Sequence, residues 1–339
     1  MQAVVRFGMG DDDIRLEDVP EPEPGPNEVK INVKAAGVCG TDIHGHPSLR
    51  PPVILGHELA GVIVEVGSNC TTRHVGERVT SETTKSLCGK CRYCKEGPVS
   101  LCVERRGLAS RADGCFAKYL TIPETSVHVL PAAVSFEAGA LTEPLACATH
   151  AVIEQAGVDR EEFIVVVGPG PLGLLVTRCC AVFGAKVVTA GIGADEDRLA
   201  LAAAFGAERT VNVEMEDLPD VVRSMTDGYG ADTVFECSGA ASAVPAALAC
   251  LRKRGRYVQA GILHRQVELD FDDLFFVREL TLAGSHTSNP VSWVLALNLL
   301  AAGKVRLQPL ITAELPLAEW RRAFELMRTR QAIKVILKP

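Results

Sequence analysis

The chain has no basic excess: 35 Lys and Arg stand against 42 Asp and Glu, a formal net charge of −7. No overall positive field exists to draw it onto nucleic acid or an acidic membrane, so neither is expected as a partner. A signal-peptide start is also missing. The opening "MQAVVRFGMGDDDIRLED" alternates like an exposed strand and then turns acidic, without a basic beginning or an apolar core, and the expected compartment is the cytoplasm. No unbroken apolar run reaches membrane length. The nearest candidate, "FIVVVGPGPLGLLVTRCCAVFGAKVVTAGIG", is interrupted early by Gly-Pro-Gly-Pro and carries Arg178 and Lys186, which fits a buried strand, turn and helix. Internal repeats are absent, and the low-complexity tract "PEPEPGPNE" reads as a stiff surface loop.

What is present is an ordinary globular composition, 47% hydrophobic and 23% charged over 339 residues, long enough for two domains. In a reducing compartment its 12 cysteines are better read as metal ligands and small buried hydrophobes than as disulfides. Residues 1 to about 130 hold short alternating runs such as "EVKINVKAAGV", "ELAGVIVEVG" and "FAKYLTIP", separated by turn residues, an all-β layout. From about residue 142 the texture changes. "EPLACATHAVIEQAG" starts a helix at Glu143 and Pro144 and stops it at Gly157. Apolar strands then alternate with helices predicted over 172–183, 197–205 and 243–251, the pattern of a parallel sheet covered on both faces. The last segment returns to helices and one short strand.

"VVVGPGPLG" sets Gly168, Gly170 and Gly173 in G-x-G-x-x-G spacing after a strand and at the mouth of a helix, with Pro171 and Leu172 opening that helix. The first glycine permits a tight turn, the second lets backbone approach a pyrophosphate, and the third lets helix pack on strand. A tight turn without ligand explains an isolated match equally well, but here strand, helix and following strand are all present. The second strand of such a unit should end in an acid that grips the ribose 2′-hydroxyl. Gly191 stands there, no carboxylate comes before Asp195, and Arg198 follows later. The cofactor is therefore NADP or NAD, with the missing acid tilting the choice toward NADP.

Cys88, Cys91, Cys94 and Cys102 follow C-x2-C-x2-C-x7-C, enough thiolates to close a tetrahedral shell around a structural zinc that has no open position. A nucleic-acid-reading finger would need a basic recognition helix, which the stretch lacks. A second set of donors lies in "VCGTDIHGHPSLRPPVILGHE", where Cys39 and His57 stand eighteen positions apart near His44, His46 and Glu58. A catalytic zinc takes three protein ligands and keeps one place open. The third comes from elsewhere: Glu143, Cys147 one helical turn later on the same face, or Glu58 beside His57. Taken singly, His57 reads as a satisfied core histidine, Cys147 as a small core residue and Glu143 as a helix N-terminal charge. Their conjunction with a cofactor turn and a separate four-cysteine loop favours the metal.

"GVCGTDIHGH", "ILGHELAGVIVEVG", "CGKCRYCKEGPVSLC", "TEPLACATHAV", "GPGPLG" and "AIKVILKP", in this order over nearly the whole chain, resemble the zinc-dependent medium-chain dehydrogenase/reductase family, nearest its sorbitol and threonine dehydrogenase branch. The resemblance implies an α/β chain: a GroES-like β-rich catalytic domain over 1–150 completed by 288–339, a Rossmann doubly wound parallel-sheet domain over 151–287, and a cleft between them. It implies two zinc ions per subunit, with Cys39, His57 and Glu143 holding the catalytic one and Glu58 ligating or exchanging with water; Cys147 falls where the alcohol dehydrogenases proper carry their ligand cysteine. It also implies a proton path from Thr41 through the cofactor ribose to His44, with Asp42 orienting the ligand histidine. The expected reaction is hydride transfer between NAD(P) and a secondary alcohol of a polyol, sugar or cyclitol. A primary-alcohol or aldehyde reductase and a non-catalytic NADP-binding zinc protein are the rival readings. The loop "HGHPSLRPPVIL" is shorter than the family's usual one, so the pocket it helps to roof is expected to be more open or differently shaped. "RELTLAGSH" suggests edge-to-edge pairing in a homodimer or homotetramer.

Overall fold

The computed structural model describes residues 1–45 and 48–339, and His46 and Pro47 lie outside the described residues. The chain divides into two compact units, Met1–Glu143 with Asn289–Pro339, and Pro144–Ser288. The first division falls at Glu143/Pro144, inside the helix Thr142–Thr149 and beside the change of sequence texture near residue 142, whereas the family resemblance implies a boundary at 150/151.

The first unit is built on a seven-stranded sheet whose long members are Glu28–Gly37 and Glu58–Val66, paired antiparallel. Their alternating pattern turns Ile31, Leu59 and Ile63 into a core shared with Phe116, Trp320, Phe324 and Leu337. The last strand, Lys334–Lys338, pairs antiparallel with Glu28–Gly37 through Ile336↔Gly37 and Leu337↔Ala36, and parallel with Ile311–Pro316. Register therefore delivers the C-terminal residues to the end of the strand that precedes Cys39. A three-stranded antiparallel sheet, with Gln2–Arg6 at its centre, completes this β-rich unit.

The second unit is a six-stranded parallel sheet in which the strands, numbered along the chain within the unit, lie in the order 3-2-1-4-5-6. Its first strand, Phe163–Val167, is buried at every position, as a strand covered on both faces must be. Helices Pro171–Phe183, Glu196–Ala204 and Val244–Ala249 stand where the periodicity predicts helices, within one or two residues at each end. Leu218–Met225 is a further helix that the apolar pattern did not single out. Its start signal was present: the Asp217 side chain accepts from Asp220 N at 2.8 Å, and Pro219 sits in the first turn. Helix Thr142–Thr149 runs on as a π-helical turn, His150–Gln155, and ends before Gly157, whose φ of 61° is readily adopted by glycine. The apolar segment that could suggest a membrane span is strand, turn, helix and strand, and among the described residues no helix is long and apolar enough to cross a membrane.

Candidate functional site

The strand Glu28–Gly37 leads into a five-residue helix, Gly40–His44, and Cys39 is its N-cap. The first turn of that helix is organised by one buried carboxylate. Asp42 Oδ2 accepts from Cys39 N at 3.0 Å, Oδ1 accepts from Gly56 N at 3.1 Å, and the same Oδ1 lies 3.5 Å from His57 Nδ1. Asp42 thus fixes both ends of the loop and one face of the imidazole, leaving Nε2 for another partner. Burial alone would depress the His57 pKa, but the Asp42 carboxylate and the Cys39 sulfur outweigh it and hold the ring well above its ordinary value.

Glu58 follows His57 as the first residue of its strand and is fully buried. Its Oε1 pairs with Lys334 Nζ, which also donates to Val38 O at 2.9 Å, while Oε2 is buried with no hydrogen-bond partner. An orphaned buried carboxylate oxygen costs free energy unless something satisfies it. The donor atoms of Cys39, His57 and Glu58 all lie within 4.8 Å of one another, a spacing at which one bound cation would satisfy that oxygen. The donor set, one sulfur, one nitrogen and one oxygen, suits zinc. Glu143 is buried in the first turn of Thr142–Thr149 but does not belong to that group among the described residues; its charge acts on Lys334, whose pKa burial lowers and the Glu58, Cys39 and Glu143 charges raise on balance. Cys147 is half-buried further along the same helix. Thr41 is half-buried within the short helix, and His44 is exposed at its last position.

Lys334 is the residue that sequence reasoning missed. It sits in "AIKVILKP", quoted above for resemblance alone, and the signal was a lysine in a five-residue strand that is otherwise apolar up to Lys338. A buried lysine in such a strand requires an anionic partner.

The four-cysteine loop forms a second donor set. Cys91 Sγ lies 3.5 Å from Cys94 Sγ, Cys102 Sγ lies 3.6 Å from Cys88 Sγ, and Cys88 and Cys94 are 3.9 Å apart. Zinc bonds of about 2.3 Å in tetrahedral geometry put sulfurs about 3.8 Å apart, so this spacing fits the ion and is far too long for disulfides. Amides reinforce the anionic character: Cys88 N donates to Cys102 Sγ and Cys91 N to Cys88 Sγ, each at 3.4 Å. The Cys94 amide and neighbouring groups draw the Cys91 thiol down to about 6. Ser100 N donates to Asn289 Oδ1 at 3.2 Å, tying the loop to the returning C-terminal segment.

In the second unit Gly168 turns the chain with φ 95°, and a Cβ there would lie 2.6 Å from the Ser238 backbone. A Cβ at Gly173 would lie 2.0 Å from Gly168 O, whereas one at Gly170, the N-cap of Pro171–Phe183, meets nothing within 4 Å. Two glycines are demanded by close packing and the middle one leaves open space at a helix N-terminus, a fit to a dinucleotide pyrophosphate. Behind this turn the buried Glu236 accepts from Ser238 N at 2.8 Å and Gln259 Nε2 at 2.7 Å, bracing the loop against which Gly168 packs.

Residues 25–132 match the alcohol dehydrogenase GroES-like domain, and residues 171–302 match the zinc-binding dehydrogenase domain. The sorbitol dehydrogenase of Halalkalibacterium halodurans is 43% identical over 343 residues, covering 100% of this chain and 99% of the relative. The chain belongs to the zinc-dependent medium-chain dehydrogenase/reductase family. It is an oxidoreductase of the kind that acts on CH–OH groups of small molecules, with a GroES-like domain and a Rossmann domain. The D-arabitol-phosphate dehydrogenase of Enterococcus avium is 40% identical to this dehydrogenase, over 100% of the chain and 97% of the relative. Among solved structures, a zinc-binding dehydrogenase from Sinorhizobium meliloti 1021 bound to NADP superposes with TM-score 0.92 at 31% identity, covering 100% of this chain and 99% of that one.

Proposed function

We propose that this dehydrogenase oxidises a secondary alcohol on a polyol or sugar, or reduces the matching ketone, with a nicotinamide dinucleotide as hydride partner. The observation that carries the reading is the cluster of Cys39, His57 and Glu58, with its orphaned carboxylate oxygen, inside a chain whose relatives include sorbitol and D-arabitol-phosphate dehydrogenases. Cys39 and His57 would hold a catalytic zinc, Glu143 would complete its protein shell, and Glu58 would ligate or step back. Cys88, Cys91, Cys94 and Cys102 would hold a structural zinc. When bound at an incompletely filled shell, zinc is a Lewis acid that makes a hydroxyl easier to ionise.

The chain's own groups account for the rest. Asp42 Oδ1 faces His57 Nδ1, so that with a metal bound the ring proton would stay on Nδ1 and Nε2 would offer its lone pair to the ion. Lys334 neutralises one oxygen of Glu58, which limits the negative charge of the donor set without occupying the other oxygen. The Thr41 hydroxyl would take the substrate proton and pass it outward, and His44, exposed at the helix end, would release it to solvent. The turn Gly168–Gly173 would seat the cofactor pyrophosphate. Strand Thr281–Gly284, the last in its sheet, would pair with its copy in a homodimer or homotetramer.

A panel of polyols, sugars and simple alcohols, assayed with NAD and NADP, tests the activity. Turnover of secondary alcohols on polyols is expected, and turnover of primary alcohols alone would replace this reading by an aldehyde reductase. For the shell, Glu143→Ala should lose zinc and activity while Cys147→Ala keeps both, and the reverse result would assign the ligand to Cys147.

A further inference from the structure

In a dinucleotide-binding sheet the end of the second strand lies beside the adenosine ribose, and an acid about 20 residues beyond the glycines grips the 2′-hydroxyl. Here that strand ends at Gly191 and continues through Ile192 to Gly193 without a carboxylate of its own. Gly191 has a packing reason to be glycine: a Cβ there would lie 2.9 Å from Pro169 Cγ and 3.2 Å from Asp195 Cβ. It makes room for the phosphate turn, which says nothing about a 2′-phosphate.

Two residues on, the place of the missing side chain is filled from another strand. A Cβ added at Gly193 would lie 2.8 Å from Glu214 Oε2 and 3.6 Å from Asn212 Nδ2, and Gly193 N donates to the same Oε2 at 2.9 Å. Glu214 sits in the turn after the third strand, Arg209–Asn212, and that turn is pinned to the second strand. Val213 N donates to Gly191 O at 2.9 Å, Met215 N and Glu216 N both donate to Asn212 O at 3.0 Å, and Glu214 N donates to Asn212 Oδ1 at 3.0 Å. The carboxylate is held by one oxygen and by its own backbone, while the side chain faces solvent and no hydrogen bond engages Oε1 among the described residues. The basic residue nearest in sequence, Arg198, lies 4.0 Å from Asp195, and its side chain is only 13% exposed.

We propose that Glu214, delivered from the turn after the third strand, is the residue that binds the adenosine-ribose 2′-hydroxyl and excludes a 2′-phosphate, making this dehydrogenase selective for NAD. The inference rests on the reading of Gly168–Gly173 as a dinucleotide turn. A hydroxyl donates to the carboxylate, whereas a 2′-phosphate sets like charge against it. Glu214 thereby reverses the tilt toward NADP drawn from Gly191.

The test uses ADP-ribose and its 2′-phosphorylated form, titrated by calorimetry into the full-length protein, so that neither substrate nor turnover enters. Wild type is expected to bind ADP-ribose at least about tenfold more tightly than the 2′-phosphorylated form, and Glu214→Gln to narrow that ratio by roughly tenfold or more, the range of one charge-assisted hydrogen bond. A rescue separates recognition from loop structure. In Glu214→Ala with Gly193→Asp the new carboxylate enters the space vacated by the old one, and the preference for ADP-ribose is expected to return. An unchanged ratio in Glu214→Gln, absence of rescue, or a wild type that prefers the 2′-phosphorylated fragment overturns the assignment and leaves the dinucleotide turn standing. Failure to bind either fragment overturns both.

Discussion

Replacing Lys334 with methionine removes half of a buried ion pair whose members stand 276 residues apart. Glu58 is 0% and Lys334 2% exposed, so the carboxylate left behind cannot recover its lost partner from water. Breaking such a pair from one side costs about 3–5 kcal/mol. The upper part of that range is expected here, because Glu58 Oε2 already lacks a hydrogen bond within the chain. The assay is urea unfolding followed by tryptophan fluorescence. Both tryptophans, Trp293 and Trp320, are buried in the unit that contains the pair, so the signal reports on that unit. Glu58→Gln combined with Lys334→Met removes both charges and should be less destabilised than the two single changes predict, by about 1–3 kcal/mol. The pH dependence follows from the sign of the shift. Burial pulls the Lys334 pKa down but the anionic neighbours raise it on balance above 10.5, so the pair's stabilisation is fully present below 10.5 and is lost as pH climbs through the raised value. Additive single changes, or a stability difference that disappears below pH 10.5, would refute the reasoning.

Asp42→Asn keeps the shape of the carboxylate but loses its charge beside His57, and zinc affinity measured by competition with a chelator should fall about 10–100-fold. Gly168→Ala forces a side chain at φ 95° to within 2.6 Å of the Ser238 backbone, so ADP-ribose binding should weaken at least about tenfold while the zinc count per chain is unchanged. His44→Ala should slow turnover mainly at the lower end of the pH range, and an unchanged pH–rate profile would remove His44 from the proton path.

Much of this architecture could be read from local patterns. The G-x-G-x-x-G turn, the strand and helix around it and the four-cysteine loop depend on residues close together in sequence, and each carries its own spacing. The grouping of Cys39 with His57 was legible as chemistry, and the structure adds the means: Asp42, three residues from Cys39, bonds to the backbone next to His57. What local patterns could not supply are partners brought by sheet register. Lys334 reaches Glu58 because the last strand lies against Glu28–Gly37, and nothing near either residue announces that pairing. Glu214 reaches Gly193 because the third strand lies beside the second. If Glu214 grips the ribose as proposed, the acid comes from a strand other than the one whose end it serves, and the glycine at 191 alone does not choose between NAD and NADP. Helix Leu218–Met225 was passed over although Asp217 and Pro219 mark its start.

The most direct test of the central claim, an open-shell zinc at Cys39 and His57 distinct from the ion in the cysteine loop, is zinc content per chain in wild type and in His57→Ala, with turnover measured on the same samples. Two zinc ions per wild-type chain, falling to one in His57→Ala with turnover abolished, are predicted. A single ion in fully metallated wild type, or undiminished turnover in His57→Ala, would contradict the account.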